Sequence, residues 1–388
     1  MSKIFARAMT RATELTRSGR LHEATALIQS LLGNRKGADD SPTDTPADTA
    51  LEGTFTRLDD VAPDPTPPAK PARRSTGTNA PRRNLAETLR DIAARRKPAR
   101  PGVSVPVAPG ARFLSLTHAT PQGRRAYRLY VPAHRPAPAM PLLIMLHGCT
   151  QSPEDFAAGT GMNPLAEEFG WLIAYPAQPH DANAQKCWNW FRPADQVRDR
   201  GEPALIAGLT RDILRDHPAD PARVYIAGLS AGGAAAALVA AAYPDLFSAV
   251  GVHSGLPVGS ARDVPSALSA MRTGASGKAL PAAVPTIVFH GLADGTVHPD
   301  NGSAVTAQAL NAQPNLDRIA VTGTAPGGRA FRQIRHLAPD GRSLVEHWEI
   351  TGAGHAWSGG QPHGSYADPK GPDASREMLR FFRQHKRF

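Results

Sequence analysis

The stretch Arg223-Val224-Tyr225-Ile226-Ala227-Gly228-Leu229-Ser230-Ala231-Gly232-Gly233-Ala234-Ala235-Ala236-Ala237-Leu238 decides the fold. Its first five residues read as an apolar, β-rich strand, and its last six as an alanine-rich helix. Between them lies Gly228-Leu229-Ser230-Ala231-Gly232, a Gly-x-Ser-x-Gly elbow in the strand-to-helix context that it needs. So tight a turn requires small residues on both sides of the serine. It lifts the Ser230 hydroxyl to the carboxyl end of a sheet, where the helix N-terminus aims its N–H groups at developing negative charge.

A serine hydroxyl needs a base to take its proton, and on this architecture the acid and the histidine follow the serine in the chain. Gly352-Ala353-Gly354-His355 comes directly after the strand pattern Leu344–Ile350, so His355 is the expected base. Among the other histidines, His336 and His347 fall in or beside strand patterns, while His180 and His217 fall in polar loops or helix ends. Asp294 leaves the strand pattern Pro285–Phe289 through Gly291 and is the expected acid. Its competitor Asp300 stands at the start of a helix, where capping is its ordinary role. The oxyanion donors are expected to be the backbone N–H groups of Ala231 and of Cys149, the latter following the strand Leu142–Leu146 and the turn His147-Gly148.

Outward from this core the pattern is regular. β-rich runs occur at 113–118, 125–131, 141–147, 171–175, 223–228, 248–253, 285–290 and 344–350, with helical stretches at 200–216, 230–242, 300–311 and 373–385. The early strands lack intervening helices and the later ones alternate with them. That order predicts an α/β domain over 111–388, with a mostly parallel central sheet, helices on both faces and an antiparallel pair at its start.

The region before 111 reads differently. Residues 1–33 form a predicted helical hairpin, with Ile4, Ala8, Ala12 and Leu15 on one face, a break at Ser18-Gly19, and Leu21, Ala24, Leu27, Ile28 and Leu31 beyond it. One hairpin cannot bury its own apolar face, so it needs a partner: the main domain, another copy, a granule or another apolar surface. Residues 34–110 have the Pro-rich composition of a largely disordered linker, with one short helix around Leu85, Leu89 and Ile92. The net charge is +10, but residues 70–100 hold ten Lys and Arg against only Glu87 and Asp91. The excess is therefore concentrated in the linker, and no nucleic-acid partner is expected.

Two cysteines, Cys149 and Cys187, make neither a disulfide framework nor a zinc set, and no metal or organic cofactor is indicated. No apolar run is long enough for a transmembrane helix, and no signal peptide is readable, which makes a cytoplasmic chain the sequence expectation.

Taken together, His147-Gly148-Cys149-Thr150-Gln151, Cys187-Trp188-Asn189-Trp190-Phe191, Gly201-Glu202-Pro203, the elbow, His253-Ser254-Gly255 and Gly354-His355-Ala356-Trp357 resemble the poly(3-hydroxybutyrate) depolymerase family of esterases, over roughly residues 112–385. The resemblance implies an α/β-hydrolase fold and a serine esterase that hydrolyses short-chain hydroxyalkanoate esters through the triad Ser230, Asp294 and His355. Feruloyl and acetylxylan esterases share parts of the pattern and supply the alternative. Secreted members imply an extracellular setting, yet neither a signal peptide nor a separate polymer-binding domain is readable here. A polyester or small ester is the expected partner. The resemblance also implies a Cys149–Cys187 disulfide, against two free thiols in a reducing compartment. Trp188, Trp190 and Trp357 are candidate substrate contacts, although Trp188 and Trp190 fit equally well as anchors of a long loop.

Overall fold

All seven residues of the strand Met140–Leu146 are buried, and so are all those of Leu172–Pro176, Ala249–His253 and Thr286–Gly291. Strands apolar on both faces belong in the middle of a parallel sheet with helices packed on either side. The computed structural model describes residues 103–387 other than 121, 122 and 314, and shows that sheet. The expected hairpin at 1–33, nearly all of the linker and the short helix near Leu89 lie outside the described residues.

The strands of the central sheet are β1 (Arg112–Thr120), β2 (Gly123–Val131), β3 (Met140–Leu146), β4 (Leu172–Pro176), β5 (Ala219–Leu229), β6 (Ala249–His253), β7 (Thr286–Gly291), β8 (Asp317–Thr324), β9 (Ala330–Leu337) and β10 (Ser343–Ile350). They form one ten-stranded sheet in the order β1-β2-β4-β3-β5-β6-β7-β10-β9-β8. From β4 to β10 every pairing is parallel, whereas β1 and β2 at one end and β9 and β8 at the other are antiparallel. The helices are α1 (Pro153–Thr160), α2 (Met162–Phe169), α3 (Gly201–Asp216), α4 (Ala231–Ala242), α5 (Val264–Thr273), α6 (Asp300–Asn311) and α7 (Ala374–Phe382).

Successive residues of β3 divide the core in two, as strand alternation requires. Leu142, Ile144 and Leu146 pack with α3, α4 and Val305 of α6. Leu143 and Met145 pack on the other face with Phe156 of α1, Met162 of α2 and Phe381 and Phe382 of α7. Val105 and Ala111 also pack against this second cluster, so the folded region reaches back before the expected boundary at 111.

Two differences from the sequence reading stand out. Helices α1, α2 and α5 were not expected, being short, and α1 and α2 meet at Gly161, whose φ of 62° ends one helix and starts the next. The antiparallel pair β8 and β9 was not expected either. β8 is exposed along almost its whole length, so its residues carry no alternation toward a core.

Of the buried histidines among the described residues, His147, His253, His347 and His385 have their imidazoles pushed down by burial to about 4, 3, 3 and 4. In the unfolded chain each takes up a proton below about 6.5, while in the folded chain each stays neutral. Stability present above that pH is therefore lost as pH falls toward 4, each group contributing a slope of up to about 1.4 kcal/mol per pH unit. Thermal unfolding at pH 7.5, 6.5, 5.5 and 4.5 should give a steadily falling Tm. A flat profile across that range would contradict the neutral burial of these rings.

Candidate active site

Because β3, β5, β6, β7 and β10 are parallel, the loops that follow them emerge at one edge of the sheet. The loop after β3 carries Cys149, β5 ends in Ser230, Asp294 follows β7, and His355 follows β10.

Ser230 has φ 58° and ψ −123°, a conformation costing on the order of 1–3 kcal/mol for a side-chain-bearing residue. Its neighbours make the turn possible. A Cβ on Gly228 would lie 2.4 Å from the Gly232 backbone, and one on Gly232 would lie 2.1 Å from the Leu146 carbonyl oxygen. Only glycine lets β3 and the start of α4 come so close. The Ser230 N–H donates to the His253 carbonyl at 2.9 Å, which fixes the elbow against β6.

The Asp294 side chain is fully buried, and each of its oxygens is engaged. Oδ1 accepts the N–H groups of Thr296 and Val297, both at 2.9 Å, and Oδ2 accepts the His355 Nδ1–H at 2.7 Å. Burial alone would raise this carboxyl. The His355 hydrogen bond and charge and the Val297 N–H outweigh it and hold Asp294 down at about 2. Because the Asp294 carboxylate can only accept, the ring N–H at Nδ1 is the one it holds, and Nε2 of His355 is left free of that bond. Asp300 is elsewhere: its side chain is 71% exposed and lies 3.4 Å from His298. Gly291 joins the two loops, since a Cβ there would be 2.4 Å from the Ala353 carbonyl oxygen. Arg329 braces the histidine loop from outside, donating to the Gly352 carbonyl at 2.7 Å and to Asp368 at 2.5 Å.

At the other side of Ser230, the carbonyl of the Gly148–Cys149 peptide accepts from the His147 Nδ1–H at 2.8 Å and from the Gln151 N–H at 3.3 Å. In a trans peptide this directs the Cys149 N–H the opposite way. The flanking amides are used internally, Gly148 by the Gln151 side chain and Thr150 by the Gln185 carbonyl. Ala231 is the first residue of α4, so its N–H has no acceptor within the helix. Two amides beside a strained serine are suited to bind an oxyanion.

Cys149 and Cys187 are joined by a disulfide, S–S 2.01 Å, which ties the loop after β3 to the segment 187–191. By the loop-entropy relation a bridge across a separation of 38 residues contributes about 4 kcal/mol. Protein purified in air should take up no thiol alkylator until it is reduced, and then two equivalents, as read by intact mass. Alkylation of both cysteines before reduction would contradict the bridge.

The substrate-contact expectation requires correction for Trp188 and Trp357. Trp188 is 0% exposed, and its indole N–H donates to the His147 carbonyl at 3.0 Å. Trp357 is 1% exposed, bonds Ser375 Oγ at 3.0 Å and stacks on His253. Both are core residues without a face for substrate, because each indole N–H finds its partner inside. Trp190, 6% exposed, packs with Ala231, Leu256 and Val297 in a small apolar cluster that the disulfide and Phe191 border.

Residues without an assigned role in the sequence reading turn out to build this edge. Glu202 is buried and accepts from Gln178 at 2.5 Å, from the Asn189 N–H at 2.7 Å and from the Asn189 side chain at 2.7 Å. Arg125, also buried, bonds Gln178 at 2.7 Å and lies over the Trp188 ring. Burial raises Glu202 and lowers Arg125, and the hydrogen bonds hold the 187–191 segment in place. His253 accepts the Ser358 N–H at Nε2, 2.9 Å, and so links the elbow to the loop following His355. Two signals were available, the Gly201-Glu202-Pro203 and His253-Ser254-Gly255 motifs, but neither declares a role without its distant partners.

The fold and this edge define an α/β-hydrolase. The model of the family described as esterase PHB depolymerase matches residues 125–333, more than half of the chain, and the chain belongs to that family of esterases. It is 34% identical over 242 residues to a poly(3-hydroxyalkanoate) depolymerase C of Paucimonas lemoignei, covering 58% of this chain and 57% of that protein. It is also 34% identical over 128 residues to a feruloyl esterase B of Thermothelomyces thermophilus, covering 33% of this chain and 43% of that protein. The chain thus spans about half the length of these relatives. The acetyl xylan esterase from Aspergillus awamori shares the fold, with a TM-score of 0.53 at 19% identity over 71% of this chain and 99% of that one.

Proposed function

We propose that the protein is a serine esterase that hydrolyses short-chain hydroxyalkanoate esters, with Ser230, Asp294 and His355 as its triad. The observation that carries this reading is the 2.7 Å bond from His355 to Asp294 at the sheet edge where Ser230 stands in its elbow. His355 Nε2 takes the Ser230 proton as the hydroxyl attacks the ester carbonyl, and Asp294 stays ionised to balance the imidazolium. The Cys149 and Ala231 amides bind the oxyanion. His355 then returns the proton to the leaving alcohol, and water, activated by the same ring, releases the hydroxy acid from Ser230.

The depolymerase relative, matched over the longer span, supports hydroxyalkanoate esters as substrate, and the feruloyl esterase relative supports an aromatic or carbohydrate ester as the second reading. A p-nitrophenyl ester chain-length series, run beside 3-hydroxybutyrate oligomers, methyl ferulate and acetylated xylan, separates them. The expected result is highest kcat/KM on the 3-hydroxybutyrate oligomers. A preference for ferulate or acetylxylan overturns the substrate while leaving the triad standing.

The same reading gives residues 1–33 a docking role on granules or on a second copy. A chain beginning at Val103 is expected to hydrolyse soluble esters within about twofold of the full-length rate, because every proposed site residue lies later. It should bind polyhydroxybutyrate particles more weakly in a sedimentation assay. Equal particle binding by both proteins would overturn the granule role.

A further inference from the structure

Asp155, in α1, is 2% exposed and belongs to neither the triad nor the oxyanion loop. Its Oδ1 accepts the Ser365 N–H at 2.9 Å, and its Oδ2 accepts the Ser365 hydroxyl and, at 3.0 Å, the Gln151 Nε2 group. Gln151 is equally buried. Its Oε1 accepts the Gly148 N–H at 2.9 Å, and its Nε2 also reaches the Ser365 carbonyl at 3.2 Å. A chain of bonds, buried up to Asp155 and part-buried at Ser365, therefore runs from Gly148 through Gln151 and Asp155 to Ser365.

Each end of this chain meets the proposed site, and each carries backbone strain. At one end is Thr150, with φ 67°, next to Cys149. At the other is Tyr366, with φ 52°, whose ring stands edge-on to that of His355 with centroids 6.3 Å apart. Residues other than glycine hold such conformations only where the surroundings fix them. Hydrogen bonds made by buried side chains such as Gln151 and Asp155 are the kind that do so.

We propose that Gln151 and Asp155 form a positioning pair that fixes the Cys149 amide relative to the segment packed against His355. Neither touches substrate; they act through the Gly148–Cys149 peptide and through Ser365. The inference rests on the reading of the Cys149 N–H as an oxyanion donor. Displacing such a donor by a fraction of an ångström weakens transition-state binding much more than it weakens binding of the ground-state ester.

The test uses the full-length protein with p-nitrophenyl acetate, which needs no knowledge of the natural substrate. Gln151→Leu and Asp155→Asn are each expected to lower kcat about 10- to 100-fold with KM changed by less than about threefold. The double variant should fall no more than about threefold below the worse single one, because both act through one path. Covalent inactivation by diethyl p-nitrophenyl phosphate, whose phosphoryl oxygen occupies the oxyanion site, should slow in parallel. Folded single variants with near wild-type kcat, or losses that multiply in the double variant, would overturn the pair. Should either variant fail to fold, Ser365→Ala removes only the bonds of the Ser365 hydroxyl, one to Asp155 and one at 3.3 Å from Gln151 Nε2. A three- to tenfold fall in kcat then supports the inference, and no fall overturns it. Ser230→Ala keeps the two readings apart, since retained turnover there would sink the triad and not the pair.

Discussion

Replacing Ser230 by alanine is expected to lower kcat on any ester by roughly a million-fold, to the level that binding and oxyanion contacts sustain without a nucleophile. The fold should survive the change. The serine hydroxyl is not part of the glycine contacts that form the elbow, and its side chain makes no capping bond to α4. The backbone bond from residue 230 to the His253 carbonyl is also retained. Thermal unfolding should therefore stay close to that of the wild type while turnover vanishes. A folded Ser230→Ala protein with measurable multiple turnover would remove the nucleophile from the proposal.

Asp294→Asn is expected to lower kcat on the order of 10⁴-fold, the cost of the corresponding change in the serine-protease template. The reason is a donor and acceptor mismatch. Oδ1 of Asp294 already accepts two backbone N–H groups at 2.9 Å, so the asparagine amide must turn its NH₂ toward His355. That presents a donor to Nδ1, drives the ring's proton to Nε2, and leaves no base facing the serine. Asp300→Asn should leave kcat within about twofold, because that side chain is exposed and apart from the His355 bond. Were the two variants to behave the other way round, the acid would be Asp300.

The elbow was legible because its requirements are local. Two glycines and an alanine around a serine, between a β-rich run and an alanine-rich run, leave the backbone one economical path. The placement of Asp294 and His355 side by side was legible for a related reason, since each follows a strand through glycine and so falls at the sheet's carboxyl edge. The Trp188 and Trp357 placements were not legible. Whether an aromatic in a polar segment faces substrate or core depends on partners far away, here the His147 carbonyl and Ser375 Oγ. Asp155 was invisible for the same reason, as its partner Ser365 is 210 residues distant. β8 escaped because an exposed edge strand has no buried face to impose alternation on its residues, and β9 because polar and charged residues flank its one buried side chain, Ile334. α1 and α2, of eight residues each, offer too few turns for a helical period to stand clear of background.

The parallel order β5-β6-β7-β10 has a kinetic consequence. Asp294 and His355 are 61 residues apart, and each reaches the edge only once its own strand has been zipped onto a neighbour distant in sequence. Sheets closed by such remote pairings assemble late and slowly. On refolding from denaturant, helical signal should therefore return first, from segments such as α3 and α4 that close on themselves. Esterase turnover should return last, in a separate slower phase, when β10 adds to β7 and delivers the histidine to its carboxylate. Turnover thus acts as a clock for the final strand addition in this domain.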